Sequence, residues 1–518
     1  MVLPTIRHPL NTSLSSYCSS AVLLVCLWVL LDTAQADFVV YRLPGSQSTV
    51  LLEGKTKSVG PNTFEYTHPT MGTIILSRES ALVIKAPTRQ EEYRRLAAHA
   101  KQTQAFDDYI QAARFALRSG MLEAFRDCCN AAYKIEPMHP TMLRLLEARK
   151  RIEQPIDALA SSQSELQGAV PTQGMQVVRS PHYIMLHDTG ETKSGRKRLP
   201  RWQSRLDLLE NVYEAYFMKF ALEGRVLDPP TEPLKVVLFG QEADYMRYTR
   251  QRDESLANAL GYWSAEDNIA VFFDQGTTEK MRMLDAHAKE LAKNKLRARG
   301  TAQSRDAAYL ANTVELLVKM TREADDVEVV SHEATHQLAG NTGLMPRNQI
   351  ALRWAHEGLA TYFETSSDSG WGGIGAVNEG RLKSYQRLSA DPNRARIEPL
   401  VTDALFDLAR DSREAADAYG YAWALTHFLM ENHFDELMEY YHQVSLLEPK
   451  QHRTLLGWLP DGQPGSNSAP ATGLDRRELL KCFRAAFGDL AALEQAWHVH
   501  MRSLETDLDR ARREFETP

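Results

Sequence analysis

The sequence predicts an α+β protein in which strands and helices occupy separate stretches rather than alternating. Three observations carry this. Short β-branched and aromatic runs crowd residues 37–84, and a helical apolar period takes over from Glu91 to about Arg151. A second group of strand candidates then precedes an almost wholly helical C-terminal half. At 518 residues the chain has room for about three domains. Its hydrophobic fraction of 43% and charged fraction of 25% are those of an ordinary globular protein. The formal net charge of −7 gives no basis for binding nucleic acid or anionic membranes.

Residues 1–36 read as an export signal. Arg7 and His8 lie in a polar leader, Ala21 to Leu31 is an 11-residue apolar core, and Ala34-Gln35-Ala36 is a small-x-small cleavage site. That core is short for a membrane span, so cleavage after Ala36 is expected, giving an exported chain (secreted, periplasmic or cell-envelope). No second stretch of about 18 apolar residues follows. Cys26 follows Val25 rather than a small residue, which argues against a lipid anchor. Cys128, Cys129 and Cys482 remain after cleavage, and an odd number with two adjacent is no disulfide framework.

Residues 37–88 are expected to form a small β-rich module. Its strands are Phe38–Tyr41, Thr49–Leu52, Phe64–Tyr66 and Thr73–Leu76, punctuated by Pro44-Gly45, Gly60-Pro61-Asn62 and Met71-Gly72. Residues 89–153 read as a helical hairpin. Ala112, Ala116, Leu117, Gly120, Phe125, Cys129, Ala132, Tyr133 and Pro137 weakly resemble a tetratricopeptide unit. One such unit cannot bury its own faces, so a connecting hairpin is expected rather than a peptide-binding array. The Ser-, Gln- and Gly-rich residues 154–174 read as a linker.

Residues 175–515 read as the main domain. Strand candidates His182–Leu186, Lys235–Phe239 and Asn268–Phe273 frame an amphipathic helix through Leu206, Leu209, Tyr213 and Tyr216. The basic cluster Lys193, Arg196, Lys197, Arg198 and Arg201 lacks the interleaved aromatics of a single-strand binder and reads as a solvated loop. Thr277–Arg322 is a charged helical insert, expected as a solvated helical pair or a lid. Pro460–Gly473 reads as a flexible loop, and helices around Leu479, Phe483, Phe487, Leu493 and Trp497 close the domain.

The chemistry concentrates in His332-Glu333-Ala334-Thr335-His336 and in Trp354-Ala355-His356-Glu357-Gly358-Leu359-Ala360-Thr361-Tyr362. Two histidines four apart on a helix project from nearly one face, so both imidazoles reach one metal ion. Glu333 points about a quarter-turn away and is free to act as a base instead of a ligand. Glu357, 21 residues after His336, leaves enough chain to turn back and add a third ligand. Two His and one carboxylate, with an open fourth position, make a catalytic zinc set with one Zn²⁺ per chain. Val327, Val329, Val330, Ala334 and Leu338 make the helix a buried one, and polar residues there need a partner.

Trp354-x-x-Glu357-Gly358-x-Ala360-x-Tyr362-x-Glu364 resembles the glutamate helix of gluzincin metallopeptidases, the superfamily of thermolysin and aminopeptidase N. The likeness is nearest to secreted bacterial proteins with a peptidase-MA-like domain and covers roughly Val177 to Leu508. It implies a small mixed sheet with an exposed edge strand, an active-site helix, a glutamate helix and a helical C-terminal part. It also implies His332, His336 and Glu357 as zinc ligands and Glu333 as general base. Thermolysin-like enzymes place an aspartate four residues after the ligand glutamate to orient a histidine. This chain has Thr361 there, which leaves Glu364 as a candidate for that task.

Asp417-Ala418-Tyr419-Gly420-Tyr421-Ala422-Trp423 is similar to the gluzincin segment that supplies an oxyanion-stabilising tyrosine at the start of a helix. Tyr419 is the better match and Tyr421 the reserve. In gluzincins an extended peptide or protein substrate pairs with the edge strand, a role the resemblance gives to Asn268–Phe273, for which the alternative is an interior strand. No Gly-x-Met-x-Asn-like run precedes the metal helix, which favours endopeptidase over aminopeptidase. The reading is an exported zinc peptidase. Its rival is a non-catalytic binding or scaffold protein with a structural metal site, against which an intact Glu333 argues. Oligomeric state is not legible.

Overall fold

The computed structural model describes residues 37–509 apart from 43–48, 70, 86, 155, 157–159, 171–172, 191–199, 255, 257–258, 298–301, 348–351, 365, 368–369, 392–393, 448–475 and 507–508. The expected signal peptide, the basic residues Lys193 to Arg198 and the loop Pro460–Gly473 lie outside the described residues. The architecture is α+β, and no described helix is long and apolar enough to cross a membrane. Cys128, Cys129 and Cys482 are free thiols.

An antiparallel sheet comes first: β1 (Asp37–Arg42), β2 (Thr49–Ser58), β3 (Thr63–His68), β4 (Gly72–Ser77) and β5 (Ala81–Lys85), in the order β4-β3-β2-β1-β5. Alternation puts Phe64, Tyr66, Ile74 and Leu76 on one face, with Val39, Tyr41 and Leu52. Leu316 and Met320, from a helix far along the chain, complete this core.

Residues 89–153, expected as one hairpin, hold four helices: α1 (Arg89–Thr103), α2 (Phe106–Arg118), α3 (Leu122–Ile135) and α4 (Pro140–Ile152). Thr88 and Glu91 form a reciprocal capping box at the start of α1. Ala112, Ala116, Ala132, Leu145 and Ala148 join the core of the C-terminal part, so these helices are built into the main body. The expected linker is in part a packed helix, α5 (Ala160–Ala169). Leu166 on this helix and Val170 just past its end are buried in one cluster with Ile184 and Val237, which overrides the polar composition.

The second sheet runs β6-β7-β8-β10-β9, from β6 (Gln176–Arg179), β7 (Tyr183–His187), β8 (Leu234–Phe239), β9 (Gly261–Ser264) and β10 (Ile269–Phe273). β7, β8 and β10 are parallel neighbours buried along their whole length, as continuous apolar runs require. This corrects the edge-strand expectation. The strand within Asn268–Phe273, Ile269–Phe273, is interior, paired with β8 on one side and β9 on the other, and the sheet's edges are β6 and β9.

Between the strands lie α6 (Arg201–Glu223) and α7 (Glu242–Arg252), and after them α8 (Glu279–Arg297) and α9 (Ala302–Asn341). The charged insert Thr277–Arg322 is therefore a helical pair whose second member continues unbroken into the metal motif. At 40 residues α9 is about 60 Å long. Its first half is covered by the N-terminal sheet through Leu316 and Met320, so the pair is not simply solvated.

A buried ion cluster fixes the middle of α9. Arg205 of α6 donates to Glu323 at 2.9 Å and to Asp326 at 2.7 Å, and Arg322 binds Asp274 at 2.7 Å. Asp326 also accepts the Gln275 N–H at 3.0 Å. Arg201, which the sequence grouped with the solvated basic loop, instead joins this cluster through Glu323 at 3.1 Å. Asp326→Ala strips Arg205 of a partner that is 2% exposed. We expect a loss of about 3 kcal/mol, the low end for a broken buried pair because Glu323 remains. Urea denaturation checks this, and a change within about 0.5 kcal/mol, typical of an ordinary surface site, would contradict it.

The rest is helical: α10 (Arg353–Phe363), α11 (Glu379–Ser389), α12 (Ile397–Val401), α13 (Ala404–Asp407), α14 (Ser412–Asn432), α15 (Phe434–Ser445), α16 (Arg476–Phe487) and α17 (Leu490–Ser503). Trp354, Trp423, Trp497 and Phe483 centre this core.

Candidate metal centre

The second half of α9 presents His332 and His336 one turn apart, while Val330, Ala334 and Leu338 bury its other faces. Their Nε2 atoms are 3.1 Å apart. Glu357 arrives on α10, whose first N–H groups, those of Arg353 and Trp354, donate to the Asp403 carboxylate at 2.9 Å each. The Glu357 Oε2 atom lies 3.1 Å from His332 Nε2 and 3.5 Å from His336 Nε2. Gly358 sets how deep α10 sits. A Cβ there would meet Thr426 Oγ1 at 2.1 Å and the Ala422 carbonyl at 2.8 Å, so only glycine lets α10 lie this close to α14.

The three ligand atoms lie within 4.8 Å of one another, and His332, His336 and Glu357 are the one such group found among the described residues. Burial raises the Glu357 pKa, but His336 and His332 outweigh it and hold the carboxyl well below its usual value. Burial lowers that of His332, yet its hydrogen bonds to Glu357 and Glu364 prevail and raise it well above the usual imidazole value. Both directions describe carboxylate and imidazole held face to face around one point.

Glu333 is 8% exposed and lies outside that group of three. Its pKa is raised by burial, against the opposing pull of His332 and His336 and a hydrogen bond from the Trp263 backbone N–H of β9. The edge strand thus runs directly beside the motif helix. The sequence reading missed β9 entirely.

The task left vacant by Thr361 falls to Glu364. Thr361 turns its hydroxyl back onto its own helix, donating to the Glu357 carbonyl at 2.7 Å. Glu364 lies just past the end of α10 and takes His332 Nδ1 at 2.8 Å through Oε2. Its Oε1 accepts from Arg381 Nε at 2.6 Å and Asn378 Nδ2 at 3.3 Å. His336 is held differently. Its ring stacks on His356 at 3.9 Å and 9°, and Trp263 lies near-parallel to His356 at 6.0 Å. Sequence reasoning passed over His356, although a histidine adjacent to Glu357 was a visible signal.

Tyr419 is not at a helix entry as expected, because α14 begins seven residues earlier at Ser412. Gly420 serves close packing instead: a Cβ there would meet Ser384 Cβ at 2.5 Å on α11. Tyr419 is half-buried, edge-on to Phe406 at 5.5 Å. Burial raises its phenol pKa, with Glu357 and Glu333 adding to the rise and Arg381 and Arg353 opposing it. Tyr421 is fully buried between Tyr385 at 5.3 Å and Trp497 at 5.0 Å. Its neighbours in charge are Tyr385, Glu494 and Arg394, none of them part of the cluster.

A family model described as "Protein of unknown function (DUF1570)" matches residues 326–451, a stretch that runs from the ion cluster through the helices carrying His332, His336 and Glu357 to α15. No curated protein and no solved structure matches the chain.

Proposed function

We propose that this chain is an exported zinc-dependent peptidase of the gluzincin type, acting within peptides rather than at their amino ends. The observation that carries the reading is the triangle of His332, His336 and Glu357 with Glu333 beside it. Ligand atoms about 2.0–2.1 Å from a tetrahedral zinc lie about 3.3–3.4 Å apart. The separations here are 3.1, 3.1 and 3.5 Å, so the residues present fit the ion. Three protein ligands leave one position open, which is the catalytic rather than the structural pattern.

When bound, zinc supplies a Lewis acid that activates water near neutral pH and polarises a carbonyl. Glu333 takes the proton of the attacking water and passes it to the leaving amine. The Trp263 N–H keeps that carboxylate aimed, and its raised pKa brings it nearer the operating pH. The edge of β9 offers an extended substrate a row of backbone partners next to Glu333.

Tyr419 donates to the oxyanion that forms as water attacks. Tyr419→Phe is expected to lower turnover by about 10²–10³-fold with little change in KM or zinc content. Tyr421→Phe should cost little. Steady-state kinetics of the two variants check this, and the reverse ranking would transfer the role to Tyr421.

The reading as a whole is tested by incubating the zinc-loaded chain from Asp37 onward with a mixed peptide library and sequencing the products. Internal cuts that a chelator suppresses are expected. Stepwise removal of amino-terminal residues would make it an aminopeptidase, and intact peptides at every zinc level would sink the proposal.

A further inference from the structure

Glu364 orients His332 from beyond the end of α10, where nothing in that helix fixes its side chain. What fixes it comes from α11, a helix that carries none of the metal motif. Arg381 Nε donates to one carboxylate oxygen of Glu364 at 2.6 Å, while the other oxygen takes His332 Nδ1 at 2.8 Å. Asn378, which caps α11 by accepting the Arg381 N–H at 3.1 Å, also donates to Glu364 at 3.3 Å. The guanidinium does two more things. Its carbon lies 5.5 Å over the Tyr419 ring, and Nη2 reaches Glu328, one helical turn before His332, at 3.5 Å. One side chain therefore touches α9, the residue that ends α10, and α14, the elements that bring in the histidines, Glu357 and Tyr419.

We propose that Arg381 is a positioning residue for the metal centre, setting His332 through Glu364 while holding the ring of Tyr419; this rests on the zinc-peptidase reading above. The residue type fits the task. A planar guanidinium reaches two carboxylates on different segments while its face covers an aromatic ring, whereas a lysine ammonium is a single point charge. Carboxylates that hold a ligating imidazole are worth about 10–100-fold in metal affinity. An arginine acting through such a carboxylate should be worth about tenfold, the low end of that range.

A bare structural ion pair would change folding stability but not the metal. The experiment is therefore a double-mutant cycle read as zinc affinity, by competition with a chromogenic chelator, and as the visible spectrum of the cobalt-loaded protein. Arg381→Met should weaken zinc about tenfold and alter the cobalt bands. Glu364→Gln should weaken it by about 10–100-fold, and the double variant should be no worse than Glu364→Gln alone. Arg381→Lys should recover part of the loss; it also carries the test, with Glu364→Gln, if the methionine variant does not fold. Zinc that fails to bind wild type overturns the peptidase reading and this inference together. Zinc that binds wild type with unchanged affinity and cobalt bands in Arg381→Met, or in the lysine variant and Glu364→Gln, overturns this inference alone. Additive losses in the cycle overturn action through Glu364.

Discussion

Glu333→Gln should keep one zinc per chain and lose about 10²–10⁴ in turnover, the usual worth of a positioned acid/base group. The substitution is nearly isosteric. Its amide oxygen can still accept the Trp263 N–H that now holds the carboxylate, so β9 should stay where it is. None of the three ligands is touched. What disappears is a buried carboxylate that does not belong to the ligand triangle. Elemental analysis and kcat/KM on one preparation separate binding from chemistry. Turnover close to wild type would show that Glu333 is not the base.

Removing both imidazoles should abolish stoichiometric zinc. In His332→Ala, His336→Ala only Glu357 remains of the triangle, and one or two ligands rarely hold the ion. The fold should survive, because Glu364 keeps Arg381 and Asn378 as partners. Thermal unfolding makes this visible. Zinc at about 1,000 times its Kd adds about 4 kcal/mol to wild type, and that increment should be absent from the double variant. Full metal content in the variant would remove the site.

The juxtaposition of His332 and His336 was legible because helix geometry is local. A four-residue spacing places two side chains on one face whatever the rest of the chain does. The long helix α9 was half visible: from Ala302 to Asn341 the chain contains no proline and one glycine, Gly340, near the end. Its contact with the N-terminal sheet was not, since Leu316 and Met320 meet Ile74 and Leu76 only through tertiary packing. β9 escaped notice because it is four residues long and opens on Gly261, too short for any alternation to show. The edge role went instead to Asn268–Phe273, although an unbroken apolar run is the mark of a strand covered on both faces. Composition misled at residues 154–174, where Leu166 and Val170 outweigh the serines and glutamines around them.

The hydrogen bond from Glu364 to His332 depends on where α10 ends, and helix ends are the least readable feature of a sequence. Arg381, His356 and Trp263 reach the site from other elements, or from a face of α10 that periodicity alone does not single out. Their roles follow from distances of about one hydrogen bond or one ring stack, which no spacing rule encodes.

X-ray absorption at the zinc edge, on the loaded chain, tests the central claim most directly. The account predicts one zinc per chain with nitrogen and oxygen neighbours at about 2.0–2.1 Å and the outer scattering of two imidazoles. Sulfur neighbours at about 2.3 Å, pointing to Cys128, Cys129 or Cys482, or a protein that takes up no zinc, would contradict it.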